Sequence, residues 1–237
     1  MDRIDKLRLI RTSVSALGVT ETVKALLVHL FTYDPARDNS FDKRYGTDTA
    51  RIVSHDDLDI SDEKARRAAV FYVSCPARFE RHVLGALEID YEDFDFVDIG
   101  CGKGRVLLLA SEYPFRSVTG VEISRKLSVI AENNLRIYPS ARQRCAKTHV
   151  QCIDARLFRI SNENTVFHFY HPFAADVLRP VLNNIACCFR DSEKTVRVVY
   201  IWRQLPDVFP IFDDFGFKKL CHVEPINPRY QYAVFTI

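Results

Sequence analysis

Three glycines at alternate positions, Gly100, Gly102 and Gly104, separate two apolar runs in FVDIGCGKGRVLLLA, the stretch from Phe96 to Ala110. This pattern predicts a buried strand, a tight turn and a helix. Glycine at that density permits positive φ and a close approach of backbone to ligand, and it leaves the first helical amides pointing above the strand. Two carboxylates flank the turn: Asp98 lies just before the first glycine, and Glu122 closes the next strand-like run, Val118 to Val121. Such a pair suits a ligand with a cationic ammonium at one end and ribose hydroxyls at the other.

Spacing narrows the ligand further. Counted from Gly100, the third glycine of a G-x-G-x-x-G dinucleotide fingerprint would fall at Arg105, which disfavours a nicotinamide dehydrogenase. A phosphate-binding P-loop is excluded because neither its spacing nor its Ser/Thr hydroxyl is present. The stretch instead resembles motif I of the class I S-adenosylmethionine-dependent methyltransferases, an acid followed by G-x-G-x-G, and VTGVEIS resembles their strand-end acid. More narrowly, FDKRYGTDT, GKGRVLLLASEYPF, GVEIS, CIDA and FYHPF occur in the order found in bacterial methyltransferases of unassigned substrate, over residues 41 to 202.

The resemblance implies S-adenosyl-L-methionine as cofactor and gives the site residues their roles. Asp98 would receive the ammonium directly or through water, Glu122 the ribose hydroxyls, and Gly100, Gly102 and Gly104 the backbone approach. Asp154 would meet the adenine amine, with the Ala155 amide presented to the ring. Tyr45, Gly46, Asp48 and Thr49 would close as a lid over the methionine end. Lys103 and Arg105 would pair with the ligand's carboxylate, or else with Glu80 or Glu112. Tyr170 and His171, in FYHPF, stand where the family's motif IV carries Asn or Asp, two prolines and an aromatic. Here one proline is missing and His replaces the usual residue, so His171 is a base, a hydrogen-bond partner of the substrate or a capping residue. The proline after it predicts an extended backbone at His171.

These residues need a scaffold that brings strand ends together. Apolar runs predict strands at 94–99, 117–122, 147–153, 164–170, 195–202, 216–223 and 230–237. Helical spacing predicts helices at 103–113, 124–137 and 174–189 and a short piece at 206–213. The alternation is that of an α/β doubly wound, mostly parallel, seven-stranded Rossmann-like sheet. Pro225 to Pro228 leaves no room for a crossover, so the last strand should be antiparallel. Upstream, residues 3–17 and 20–31 read as two amphipathic helices and 33–61 as a loop, with further helical spacing from Ser61 to Leu87. The expected division is a helical extension and lid over 1–90 and a catalytic domain over 91–237.

The 237 residues are 47% hydrophobic and 27% charged with net charge +2, which fits one domain and gives no field implying nucleic acid. Seven cysteines, an odd number without a C-x-x-C pair, argue for reduced thiols in a cytoplasmic protein with no metal site. No signal peptide or membrane span is expected, and the chain should be a monomer or homodimer. Function reduces to two classes. The first is a methyltransferase acting on a protein lysine or, next, a small molecule, with a nucleic-acid base third. The second is a binding-only sensor of S-adenosylmethionine or S-adenosylhomocysteine. An open acceptor channel at Tyr170 and His171 would favour the enzyme.

Overall fold

The computed structural model describes residues 40–53, 57–60, 62, 72–202, 209–223 and 231–237. The predicted helices over 3–17 and 20–31, the start of the helical spacing after Ser61 and the turn at 225–228 lie outside these residues. All described residues fall in one compact unit, residues 35–237.

Seven strands are present: β1 (Asp95–Ile99), β2 (Ser117–Glu122), β3 (Thr148–Cys152), β4 (Thr165–Tyr170), β5 (Val196–Trp202), β6 (Lys218–Val223) and β7 (Gln231–Thr236). Their order is β3-β2-β1-β4-β5-β7-β6. The pairs β1–β2, β2–β3, β1–β4 and β4–β5 are parallel, whereas β7 runs antiparallel to both β5 and β6. The expected fold class is therefore the observed one. The order reverses between β1 and β4, and in an open parallel sheet the crevice beyond the carboxyl ends of strands at such a point is where ligands bind.

Alternate strand residues build the two layers. Phe96, Val166 and Val199 face one side and pack with Leu84, Leu107, Leu108 and Leu135. Val97, Phe167 and Val198 face the other and pack with Leu182, Ile185 and Phe212. The helices supplying these partners are α1 (Ser40–Tyr45), α2 (Ala77–Gly85), α3 (Arg105–Ala110), α4 (Arg125–Ile137), α5 (Ala175–Phe189) and α6 (Phe209–Asp214). Ser124 caps α4 by accepting from the Leu127 amide at 3.3 Å, and Tyr138 turns extended before Pro139, which ends the helix. Most boundaries shift by one to three residues, and two differences bear on the site. The 33–61 loop contains α1, and α3 begins later than predicted because Gly104, at φ +82°, is its left-handed cap and lies outside it. No helix of the described residues is long and apolar enough to cross a membrane.

At the other end of α3, Glu112 ties three segments together. Arg81 grips it with two hydrogen bonds, 3.0 and 2.9 Å, while Arg142 donates at 2.9 Å and the Tyr138 hydroxyl joins them. Burial alone would raise the Glu112 pKa, but the two guanidiniums and the phenol bring it from 4.5 down to about 2. A depressed folded-state pKa contributes stability that is fully present above about pH 4.5 and lost as pH falls toward 2. Glu112→Gln is expected to cost up to about 3 kcal/mol in urea denaturation at pH 7, and the difference from wild type should shrink by roughly half or more at pH 3.

Candidate functional site

Leaving β1, the chain passes through Gly100 and Gly102 at φ +78° and +54° before Gly104 opens α3. The Gly100 and Cys101 amides both donate to the Val121 carbonyl, at 2.8 and 3.1 Å, which hooks the turn to the end of β2. Gly100 and Gly102 are required by close packing as well as by φ. A Cβ on Gly100 would fall 2.4 Å from Pro172 Cβ, and one on Gly102 would fall 2.2 Å from the Tyr72 ring. Gly104 lies against Ala131 of α4.

Beneath the turn Glu122 is buried, its Oε2 accepting from the Gly102 amide at 2.9 Å and its Oε1 from the Ser124 amide at 2.8 Å. Burial raises its pKa against those bonds. The Ile123 amide also stabilises the carboxylate, which with about four lone-pair sites retains capacity for a further donor. Asp98, also buried, accepts at Oδ1 from His168 Nδ1 over 2.7 Å. The other ring nitrogen, Nε2, lies 3.2 Å from Glu80 Oε1, off the hydrogen-bonding direction. Burial pushes the His168 pKa down, but the two facing carboxylates outweigh it and hold it well above the ordinary imidazole value.

A cavity of about 500 Å³ opens beyond the carboxyl ends of β1, β2 and β4. Asp98, Gly100, Gly102, Arg105, Glu122, Asp154 and Ala155 line it, and so do Tyr170 and His171. Nine residues singled out from the sequence thus meet in one place. Asp154 accepts from the Arg156 backbone amide at 2.8 Å and pairs with its guanidinium, which lowers the Asp154 pKa.

His171 departs from expectation. Its φ is +38°, left-handed rather than extended. Pro172 packed on Gly100 and a 2.9 Å contact from Nδ1 to the Tyr200 hydroxyl hold it there against the preference of a residue before proline. Burial lowers its pKa, so the ring is neutral at pH 7.

Tyr45, Asp48 and Thr49 lie outside the cavity lining. Tyr45 packs edge-on against Phe41 and Tyr138, with ring centroids 4.8 and 5.0 Å away. Asp48 pairs with Lys103 at 2.9 Å, and Thr49 Oγ1 accepts from Arg105 Nε at 2.7 Å while donating to Asp42. Lys103 and Arg105 are therefore matched with Asp48 and Asp42, not with Glu80 or Glu112. Both cations are nearly fully buried, and the segment after α1 is folded around them.

Among the residues not anticipated, three bear directly on the turn and on Asp98. Tyr72 fits onto Gly102, and Glu80 and His168 complete the buried ionic row with Asp98. The sequence does hold a signal for two of them. Glu80 shares the helical stripe of Val83, Leu84 and Leu87, and His168 alternates with Val166 on an otherwise apolar strand. A charged group on a core stripe needs a buried partner.

No protein-family model and no curated protein matches the sequence. Among solved structures, a TehB-like SAM-dependent methyltransferase from Corynebacterium glutamicum superposes with TM-score 0.51 at 16% identity, over 69% of this chain and 88% of its own. The pyocyanin biosynthetic protein PhzM gives 0.52 at 16% identity, over 68% of this chain and 55% of its own. The [4+2]-cyclase SpnF gives 0.51 at 13% identity, over 68% and 80%. At these identities the likeness is one of architecture: the chain has the seven-stranded Rossmann-like fold of the class I S-adenosylmethionine-dependent methyltransferases.

Proposed function

We propose that the protein is a methyltransferase using S-adenosyl-L-methionine. The observation that carries this reading is the meeting of Asp98, Glu122 and the two positive-φ glycines in one cavity at the switch point of the sheet. The residues present fit the cofactor: Asp98 suits the ammonium and Glu122 suits the ribose hydroxyls, both on the wall of one cavity. Asp154 and Ala155 would flank the adenine. When bound, the cofactor supplies a sulfonium methyl that is already electrophilic, so the protein's task is to align an acceptor lone pair and exclude water. Tyr170 and His171 line the same cavity and would face that acceptor.

A protein lysine is the acceptor we favour, with a small molecule second. A lysine ammonium must lose a proton before it can attack, and His171, held by Tyr200 on the cavity wall, is the ring placed to pass that proton on. The test is transfer of a labelled methyl group from S-adenosylmethionine into fractionated cell extract. Label in protein, hydrolysed to methyl-lysine, supports the reading, whereas label confined to the small-molecule fraction moves the acceptor to that class. His171→Ala should lower turnover by about 10²- to 10⁴-fold with cofactor affinity unchanged. Cofactor binding without transfer to either fraction would favour the sensor, as SpnF cautions that this architecture carries other activities.

A further inference from the structure

We propose that His168 is a positioning residue for ligand binding: held between Glu80 and Asp98, its imidazolium fixes the Asp98 carboxylate toward the cavity and leaves the triad one positive charge short. The missing charge is the ligand's ammonium, so the inference rests on the methyltransferase reading and deepens it.

Geometry carries the first half. The His168 and Glu80 side chains are 0% exposed and that of Asp98 is 4% exposed, so no solvent compensates their charges. Nδ1 is hydrogen-bonded to Asp98 at 2.7 Å, and Nε2 lies 3.2 Å from Glu80 Oε1 without an aligned bond. A ring enclosed between two carboxylates at these distances is stabilised in its positive form by both. Among the described residues His168 is the one hydrogen-bond partner of the Asp98 carboxylate, bound through Oδ1. The ring thereby fixes the carboxylate's orientation and leaves Oδ2 for a ligand. Asp98 is the member of the triad that lines the cavity.

The second half is charge. The charged groups against the ring are Glu80 from α2 and Asp98 from β1, and the uncharged Phe96 ring lies 5.8 Å away. Cys75 lies against Glu80, and burial followed by that carboxylate raises its thiol pKa, which keeps it neutral. Arg105 lines the cavity and reaches the Cys75 carbonyl at 3.5 Å, but its charge is matched by Asp42, with Thr49 also accepting from it, and the Glu122 carboxylate adds to the negative field at Asp98. With both carboxylates ionised, one imidazolium leaves the buried row with one negative charge. Such a charge is costly until a cation is placed beside it.

The test titrates wild type, His168→Gln and Glu80→Gln calorimetrically between pH 6 and 8 with two probes. S-adenosylhomocysteine carries the amino-acid ammonium, and 5′-methylthioadenosine lacks it. Wild type should bind the first with affinity nearly independent of pH. Without the imidazolium, burial and Glu80 raise the Asp98 pKa unopposed, so His168→Gln should lose at least tenfold in affinity at pH 6 and recover part of it by pH 8. Its affinity for 5′-methylthioadenosine should stay within about threefold of wild type. Glu80→Gln keeps the His168–Asp98 pair and should keep a flat profile. Equal, pH-independent loss for both probes in His168→Gln would mean a structural role only and overturn the proposal. If that variant does not fold, the nitrogen shifts of His168 in the wild-type protein decide: an imidazolium at pH 8 is expected, and a neutral ring overturns the proposal. Failure of wild type to bind S-adenosylhomocysteine at all would instead remove the methyltransferase reading.

Discussion

Asp98→Asn is expected to weaken S-adenosylmethionine binding by about a hundredfold or more while leaving a folded protein. The substitution keeps the shape of the side chain, and the amide oxygen can still accept from His168 Nδ1. What it removes is the negative charge facing the cavity, and it turns an amide N–H toward the incoming ammonium in place of Oδ2. Removing one partner of a buried, hydrogen-bonded charge pair costs about 2–5 kcal/mol, and each 1.4 kcal/mol is about tenfold in affinity. Calorimetric titration gives the affinity, and thermal denaturation of the same sample checks the fold. A change below about threefold in a folded variant would mean that the ligand's cation is held elsewhere.

Gly102→Ala should be the most disruptive single methyl in the site. At φ +54° an L residue pays a left-handed backbone cost of about 1–2 kcal/mol. The added Cβ would also sit 2.2 Å from the Tyr72 ring, which cannot swing aside cheaply because its hydroxyl donates to the Thr49 carbonyl at 2.8 Å. Overpacking of this kind adds about 1–3 kcal/mol. Gly46→Ala is the built-in control. Its φ of +72° carries the same backbone cost, but nothing lies within 4 Å of the added carbon. In urea denaturation Gly46→Ala is expected to lose about 1–2 kcal/mol and Gly102→Ala about twice that, together with cofactor binding. Equal losses would mean that the turn is selected for φ alone.

The architecture was legible in the sequence because buried parallel strands are short apolar runs and each break in them is marked. Pro139 after α4 and the tight Pro225–Pro228 interval before the last strand fix a helix end and a chain reversal without any knowledge of tertiary contacts. The cavity residues were legible for the same reason: at a switch point the strand ends converge, so Asp98, Glu122, Asp154 and His171 could be read as one group. Partnerships across long sequence separations were not legible. Lys103 and Arg105 find Asp48 and Asp42, more than fifty residues upstream, because the segment after α1 folds over the start of α3. Neither local pattern nor charge spacing encodes that choice. The left-handed backbone of His171 was hidden likewise, since it comes from Pro172 meeting Gly100, a contact between two strand ends that overrides the local preference. Glu80 and His168 were visible only as polar residues on apolar stripes, and their common purpose emerges when α2 is laid against β4.

The most direct test of the account is isothermal titration of the purified protein with S-adenosylmethionine and, separately, with NAD at pH 7. Saturable binding of S-adenosylmethionine at one site per chain, with no heat from NAD, is the result predicted by the glycine turn, Asp98 and Glu122 acting together. A folded protein that binds NAD, or that binds neither ligand, would contradict the assignment of the cavity.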